Sequence, residues 1–456
     1  MFKSLQKFVG TKEFYRTALA VAIPMMMQQL ITSSVNLIDN LMVGQLGDMA
    51  LAGVAAVNKF YMIATFGTNG LLAASAIFIA QYYGARDFEK MKESFRFSLI
   101  FATLIMVTFF GLGYFYPKTI VGFFTEDAAI IEQGILYLHV AAFTFLPMIF
   151  SLSISSSLRS IGETKVPLYV SVVAVVTNTS LNYCLIFGHF GFPQMGVQGA
   201  ALATLIARCV EAAIFLIVLM KVDVPFKTRV IDLFKVPMSL TKQILIKAAP
   251  LATNEVLWSS GMATLFKLYG TRGAEVIAGY SIANTISDIF FILFGGMAAA
   301  STVLISHHLG ANELDEARKN GYRLMGLSIM LSIVFAILMF GSSFVVPKWY
   351  QVSAESRHVA ETVLRIMACM FWVYMVNTQC YFTLRAGGDT KSTLLMDSVY
   401  MWCVNISLVT LLAYCTDLNI YMLYLIGQLT DLLKMIIGYG MVKKEKWVVN
   451  LTDVKG

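Results

Sequence analysis

Charged residues are scarce in this chain of 456 residues: they make up 13%, against 58% hydrophobic residues. Soluble domains contain roughly a quarter charged residues, so this composition excludes an ordinary soluble protein and is typical of a membrane protein. Histidine is rarer still, with five residues and no metal-ligand spacing. The six cysteines lie in or at the ends of apolar segments without a CxxC pair, which argues against disulfides and a metal site.

Two kinds of sequence signal are also absent. No G-x-x-x-x-G-K-[ST] loop occurs, so we expect no nucleotide hydrolysis and look to an ion gradient for energy. No cleavable signal peptide is evident, because the first apolar run is too long and no small-residue cleavage site follows it. The net charge of +7 requires no nucleic-acid partner, since the basic residues lie in particular loops between apolar runs.

Long apolar runs dominate what is present. A helix of about 20 apolar residues crosses a hydrocarbon core. Twelve such runs predict an all-α polytopic membrane protein with twelve transmembrane helices, at roughly 16–41, 50–82, 90–115, 128–156, 166–188, 196–220, 241–266, 276–307, 318–344, 356–383, 391–414 and 419–442.

Basic residues concentrate at both ends of the chain and in every second connection between the runs. Lys7 and Lys12 precede the first run, and Lys443 and Lys444 follow the last. Cationic segments stay on the cytoplasmic side of a membrane. The sequence therefore predicts cytoplasmic termini for a multi-pass protein of the cell inner (plasma) membrane.

An internal repeat relates the two halves of the chain at a single offset, without a gap. LRSIGETK from Leu158 returns as LRAGGDTK from Leu384, and Pro24 returns as Pro250. Six spans per half is an even number, so both halves run through the membrane in the same direction, as in known transporters. A duplicated receptor or membrane-embedded enzyme is the alternative. The repeat predicts two pseudo-symmetric six-helix lobes, 1–220 and 241–456 with its cytoplasmic tail, joined by a cytoplasmic linker at 221–240.

Acidic residues within the apolar runs are candidates for function, because an ionisable group in hydrocarbon is costly. Gln29, Asn36 and Asp39 recur at helical spacing and form a polar stripe on the first span. In the repeat, Glu255 takes the place of Gln29, and Leu265 that of Asp39. Such carboxyl groups can load and release protons or hold a small hard cation with oxygen neighbours. A carboxyl neutralised by a hydrogen bond or a nearby lysine is the alternative.

Other polar residues within the spans have structural alternatives. Asn178 and Asn182 lie one turn apart on the fifth span, and Thr204 on the sixth offers a hydroxyl. Helix–helix hydrogen bonding is the alternative for these three residues.

Basic residues within the spans are interpreted as partners of nearby acids. Arg208 with Glu211, and Lys434 with Asp431, have the three-residue spacing of structural ion pairs on one helix face. Lys59, inside the second span, lies at a depth from which it could reach the acid of the first.

Contacts to a ligand are expected from flexible and polar side chains that face a cleft. The 26 methionines and 33 phenylalanines can line a cavity that repacks around varied ligands, although most of them face lipid or other helices. The predicted substrate-binding residues are Met26, Gln29, Asn36, Asn58, Asn284 and Asp288.

Several segments together resemble a known family. AIPMMMQQL, NLIDNLMVGQLGDMALAGVA, SSLRSIGETKVP, NTSLNYCLIFG and LRAGGDTK are similar to multidrug and toxic compound extrusion (MATE) transporters of the bacterial NorM-like or DinF-like type. The resemblance covers nearly the whole chain and implies the twelve-span, two-lobe fold. It also implies a monomeric antiporter, not an enzyme, that exports amphipathic, mostly cationic compounds in exchange for sodium ions or protons. The expected partners are these compounds and the lipid bilayer, with no cofactor beyond a coupling ion.

By position, the resemblance implies a cation-coupling set drawn from both lobes: Asp39, Asn178, Asn182, Thr204 and Glu255. Some members have an aspartate where this chain has Asn182, which argues against a proton relay through that position alone. The tenth-span aspartate of other members is not evident here, where Asn377 and Gln379 occur.

Two other functions stay open at this point. A lipid-linked oligosaccharide flippase of the same superfamily often has extra spans and an arginine-rich cleft, whereas this chain has twelve spans and few basic residues within them. A membrane-embedded enzyme would need a His/Asp or Cys/His cluster at one depth, and none is found. The sequence does not choose between sodium and protons.

Overall fold

The computed structural model describes residues 6–453, which form helices and no strand. The long helices, numbered α1 to α12, are Lys12–Gly44, Asp48–Gly84, Phe88–Phe115, Ala128–Ser160, Lys165–Phe187, Gly196–Lys221, Met238–Gly270, Ala274–Gly310, Leu314–Trp349, Ala354–Ala386, Thr390–Cys415 and Ile420–Lys443. In this part of the chain, eleven of them, all except α7, are long and apolar enough to cross a membrane. The predicted all-α polytopic membrane fold is confirmed, and each predicted span lies within or overlaps one of these helices.

The repeat recurs in features that begin or interrupt helices. Pro24 lies inside α1 and Pro250 inside α7, where each removes one backbone hydrogen bond from its helix. Asp127 caps the start of α4, and Ser353 caps the start of α10. Each of these two side chains accepts a hydrogen bond from a backbone N–H of its helix's first turn, as an N-cap residue does.

The helices divide into two compact units. The amino-terminal unit contains residues 27–83 and 87–248, and the carboxy-terminal unit contains the described residues 6–26, 84–86 and 249–453. Helices α1 and α7 therefore change unit close to Pro24 and Pro250. Within the carboxy-terminal unit, Met26 lies against Gly296, and the Lys7 ammonium donates a 2.9 Å hydrogen bond to the Tyr439 hydroxyl.

The lobe boundaries predicted from the sequence, with a linker at 221–240, stay a prediction. Residues 1–5 and 454–456 of those lobes lie outside the described residues. The segment between α6 and α7 is bound by the buried Arg96 of α3. This arginine donates hydrogen bonds to the Thr228 hydroxyl at 2.7 Å and the Lys235 carbonyl at 3.2 Å. The connecting segment is thereby fixed to the amino-terminal unit.

Equivalent glycines allow equivalent helices to approach closely. A Cβ added at Gly53 in α2 would lie 2.7 Å from the Gly134 nitrogen in α4. A Cβ added at Gly279 in α8 would lie 2.4 Å from the Ser356 carbonyl oxygen in α10. The two glycines occupy the same position of the repeat, so the second and fourth helices of both halves pack through the same glycine contact.

Helix α11 contains one inserted residue relative to the equivalent segment of its counterpart α5. Leu395–Val399 and Met401–Ile406 are π-helical, a geometry that accommodates an extra residue. The side chains of Asn178 and Thr204 are 3.2 Å apart, and those of Asn405 and Thr430 are 2.8 Å apart. The two threonines are equivalent in the repeat, but Asn405 stands one position after the residue that the repeat aligns with Asn178. The offset between equivalent residues of the two halves is therefore not constant. The prediction of a single offset without a gap is wrong at this helix.

Candidate functional site

A cavity of about 470 Å³ lies among α1, α2, α4, α5 and α6 of the amino-terminal unit. Pockets of ~300–1,000 Å³ hold drug-sized ligands. Its lining mixes apolar side chains such as Met148 and Val175 with polar ones. Six predicted site residues are part of this lining: Asn36, Asp39, Asn58, Asn178, Asn182 and Thr204.

Helix α5 holds the carboxylate of Asp39. The Asn182 amide nitrogen donates a 2.6 Å hydrogen bond to Asp39 Oδ1. The Asn178 amide satisfies its neighbours best with its nitrogen 2.8 Å from Asp39 Oδ1 and its oxygen 3.2 Å from the Thr204 hydroxyl. The structure therefore brings together four of the predicted cation-coupling residues, from α1, α5 and α6.

One oxygen at this site lacks a hydrogen-bond donor. Asn182 is 1% exposed, and its Oδ1 atom has no hydrogen-bond partner among the described residues. Leaving a buried acceptor unsatisfied is costly. Carboxylate, amide and hydroxyl oxygens are the ligands that hard cations prefer. Asp39, Asn178, Asn182 and Thr204 carry such oxygens, so the residue types at this site fit a small hard cation.

Helix α6 adds a basic residue to the same cavity. Arg208 Nη1 lies 2.7 Å from Glu211 Oε2, so the predicted ion pair is confirmed. The Glu211 side chain is 11% exposed, whereas that of Arg208 is 41% exposed. Tyr61 and Asp39 line the same cavity as this guanidinium. The cavity thus contains charges of both signs.

Tyr61 is part of the cavity wall and was missed by sequence reasoning. Its hydroxyl hydrogen-bonds the Thr144 hydroxyl and the Ala141 carbonyl, which joins α2 to α4. Tyr61 follows Asn58 by three residues, so both lie on one face of α2. That spacing was a signal from which Tyr61 could have been found.

The other four predicted substrate-binding residues do not line this cavity. Met26 belongs to the carboxy-terminal unit, and Gln29 is an exposed residue of α1. Asn284 is half-buried and Asp288 is exposed, both on α8 of the carboxy-terminal unit. The predicted substrate-binding set is therefore divided between the two units.

The carboxy-terminal unit has a charged cluster of its own. Lys434 Nζ of α12 lies 2.7 Å from Asp397 Oδ1 of α11. The Asn254 amide donates a 3.0 Å hydrogen bond to the other oxygen of this carboxylate. The predicted pairing of Lys434 with Asp431 is wrong, because Lys434 binds an acid on the neighbouring helix instead. Sequence reasoning missed Asp397, although it is an acid inside an apolar run.

Glu255 lies next to this cluster and apart from the Asp39 site. It is half-buried on α7, in the carboxy-terminal unit. Its sequence neighbour Asn254 donates the hydrogen bond to Asp397. The structure thus separates Glu255 from the other predicted cation-coupling residues.

Lys59 does not neutralise the acid of the first span. Its side chain is exposed, and it takes part in none of the ion pairs among residues 6–453. The interpretation that Lys59 pairs with Asp39 is therefore wrong.

The MatE family model matches this chain twice, at residues 24–184 and 250–411. The two matches begin at equivalent prolines of the repeat, and the second is one residue longer, in agreement with the extra residue of α11. A probable multidrug resistance protein NorM from Bradyrhizobium diazoefficiens is 27% identical over 425 residues, 89% of this chain and 88% of its own length. The probable multidrug resistance protein YoeA from Bacillus subtilis is 24% identical over 446 residues, 96% of each chain.

Solved structures share the fold. A MATE crystal structure in complex with MaL6 has a TM-score of 0.87 at 19% identity, covering 97% of this chain and 98% of that one. An outward-facing multidrug resistance MATE family transporter of the MOP superfamily has a TM-score of 0.86 at 20% identity, with the same coverage. The relatives are named as transport and resistance proteins, not enzymes. Because the family model covers most of both repeats, this chain is a multi-pass membrane protein that belongs to the MatE family, with NorM-like relatives.

Proposed function

We propose that this protein is a secondary active multidrug efflux antiporter, which exports amphipathic, mostly cationic compounds in exchange for sodium ions or protons. One observation carries the proposal: a drug-sized cavity contains the Asp39 carboxylate, bound by the amide of Asn182, whose own oxygen is unsatisfied. The carboxylate suits a cation, and the volume and apolar walls suit an amphipathic compound. The names of the relatives as multidrug resistance proteins support the substrate class.

The charge of the site supports a monovalent coupling ion. Asp39 is the one acid that the amides of Asn178 and Asn182 contact among the described residues. Sites for divalent ions such as Ca²⁺ commonly combine several carboxylates. No group of three or more His, Cys, Asp or Glu side chains within residues 6–453 is placed to hold a metal ion. A sodium ion held by these oxygens and a proton on Asp39 both fit this donor set.

Competition between the exported compound and the coupling ion at Asp39 would couple export of the compound to entry of the ion. Asp39 and Glu211 outnumber Arg208 in the cavity, so a cationic compound is attracted by the excess negative charge, and a bound sodium ion or proton removes that attraction. Ion binding therefore favours release of the compound, because the two ligands interact differently with the same site. Alternating access of the two lobes then places ion loading outside the cell and loading of the compound inside.

The membrane placement follows from the charge pattern. We place the protein in the cell inner (plasma) membrane with both termini cytoplasmic, because basic residues flank the first and last helices. We further propose a monomer, as the resemblance to MATE transporters implies.

A lipid-linked oligosaccharide flippase is not favoured by the cavity. Pyrophosphate is bound by arginine and lysine side chains that are available to its oxygens. Arg208 is the only basic residue of the described chain that lines this cavity, and Glu211 already pairs with it. A pyrophosphate group would lack the positive charge that it needs.

Ethidium transport into everted membrane vesicles tests the antiporter proposal, with sodium and pH gradients imposed separately. The wild-type protein is expected to accumulate ethidium with at least one gradient and none without. Asp39→Asn is expected to reduce gradient-driven transport to background, because the exchangeable charge is lost. Lys59→Gln is the control and should transport normally. Full gradient-driven transport by Asp39→Asn, at equal protein level, would contradict the assignment.

A further inference from the structure

Arg208 places a permanent positive charge in the cavity that contains Asp39. Its guanidinium binds Glu211 at 2.7 Å, yet the side chain is 41% exposed and lines the same cavity as the Asp39 carboxylate. Arginine stays protonated at physiological pH. One permanent cation and two carboxylates, those of Asp39 and Glu211, therefore line this cavity.

The equivalent residue in the other unit shows how far a basic side chain extends from this position. Lys434 occupies the repeat position of Arg208, and its ammonium reaches from α12 to Asp397 on α11 at 2.7 Å. Asp397 occupies the repeat position of Ser171, which lines the cavity on α5. A lysine thus bridges the last two helices of its unit, and an arginine side chain is longer. Arg208 has the reach to leave Glu211 and extend toward α5.

Side chains of helix α5 also bind the carboxylate of Asp39, which lies on α1. Asn178 and Asn182 place their amide nitrogens 2.8 Å and 2.6 Å from its carboxylate. Amide donors stabilise a carboxylate but do not neutralise it. A half-buried charge away from bulk water is costly unless it has a counterion. A nearby positive group would therefore stabilise the Asp39 carboxylate when the coupling ion is absent.

We propose that Arg208 is a tethered counterion for Asp39. Its guanidinium moves from Glu211 to Asp39 when the coupling cation leaves, and it returns to Glu211 when a cation binds. Arg208 is thus a positioning residue that competes with the coupling cation and lowers its affinity, which favours release of the cation inside the cell. This inference rests on the proposed cation site at Asp39.

Sodium binding to the purified full chain, measured by isothermal titration calorimetry, separates this role from a structural one. Arg208→Gln removes the competitor, so sodium should bind at least about tenfold more tightly. Glu211→Gln leaves the guanidinium with Asp39 as its remaining acid, so sodium should bind more weakly by a similar factor. A merely structural ion pair predicts shifts in the same direction, because both substitutions break the same pair.

Two variants serve as controls for charge and for ion-pair loss. Arg208→Lys keeps the charge and should bind sodium within a fewfold of wild type. Arg365→Gln breaks a different ion pair on one helix, with Glu361 at 3.2 Å in the carboxy-terminal unit, and should leave sodium affinity unchanged. Combining Asp39→Asn with Arg208→Gln should abolish binding, since the site itself is removed. Thermal unfolding verifies that each variant folds, and Arg208→Met replaces Arg208→Gln if the latter does not.

The inference is overturned if the Arg208 variant binds sodium no more tightly than wild type, or if Glu211→Gln binds it more tightly. It is also overturned if the Arg208 variant binds no sodium, whatever the wild-type protein does. Opposite shifts in sodium affinity without gradient-driven ethidium transport would support the counterion and refute the antiporter, so the two failures are distinguishable.

Discussion

At the residue scale, the amide of Asn182 contributes both a donor to Asp39 and the unsatisfied oxygen beside it. Asn182→Leu keeps the number and branching of the side-chain heavy atoms and removes both polar groups. We expect sodium to bind at least about tenfold more weakly, which reduces the stabilisation that sodium gives against heat. Differential scanning fluorimetry with and without sodium measures this effect.

The control for this prediction is Asn405→Leu, which removes a buried amide from the carboxy-terminal unit. It should lower the melting temperature without changing the response to sodium. An unaltered sodium response in Asn182→Leu would count against a cation at Asp39.

The ion pair of Lys434 and Asp397 contributes to stability because it is largely buried, at 15% and 18% side-chain exposure. Removing one partner of a buried pair costs about 3–5 kcal/mol, so Lys434→Gln should lose up to this amount. Replacing both residues with apolar ones should recover most of the loss. Thermal unfolding in detergent measures both.

A surface pair provides the comparison. Lys235 binds Asp232 at 2.7 Å with 72% and 24% side-chain exposure, and Lys235→Gln should change stability by less than about 1 kcal/mol. Equal losses in the two single variants would refute the role of burial.

At the element scale, Gly53 and Gly279 set the distance between paired helices. Alanine at either position forces its Cβ against backbone atoms at 2.7 Å and 2.4 Å. Overpacking of this kind costs about 1–3 kcal/mol, so both variants should melt at a lower temperature. Gly67→Ala is the matched control, because a Cβ there meets nothing within 4 Å. A melting temperature of Gly53→Ala equal to that of the control would contradict this packing argument.

The number, type and order of the helices could be predicted, because long apolar runs and basic loops are local signals. The partner of Lys434 could not. The spacing rule favours Asp431 on the same helix, whereas the observed partner Asp397 lies on α11. Which side chain faces Lys434 depends on the rotation of α11, and the π-helical residues of that helix change this rotation without a clear sequence signal.

The candidate site could likewise be predicted in part from the sequence. Asn178 and Asn182 share a face by spacing alone, and Asp39 stands out as an acid in an apolar run. That Arg208 lines the same cavity as Asp39 was not predictable, because its obvious partner Glu211 lies one turn away. Only the packing of α6 against the rest of its unit shows that the guanidinium and both carboxylates line one cavity.

At the scale of the whole molecule, the basic flanks fix the orientation that we propose. A green fluorescent protein fused after the carboxy terminus should fluoresce, because it folds in the cytoplasm. Alkaline phosphatase at the same place should be inactive, and active when inserted near Lys118 between α3 and α4. The reverse pattern would invert the topology.

Helices α1 and α7 each change unit next to a proline. The two units thereby exchange the first parts of these helices. The residues before Pro24 pack with the second repeat, and those of α7 before Ala249 pack with the first. A cut between α6 and α7 would therefore yield two fragments that each lack a piece held by the other, like the partners of a domain-swapped dimer. A single chain that contains both repeats supplies the two pieces in a one-to-one ratio. Two separate proteins would have to associate with each other to bring the same pieces together.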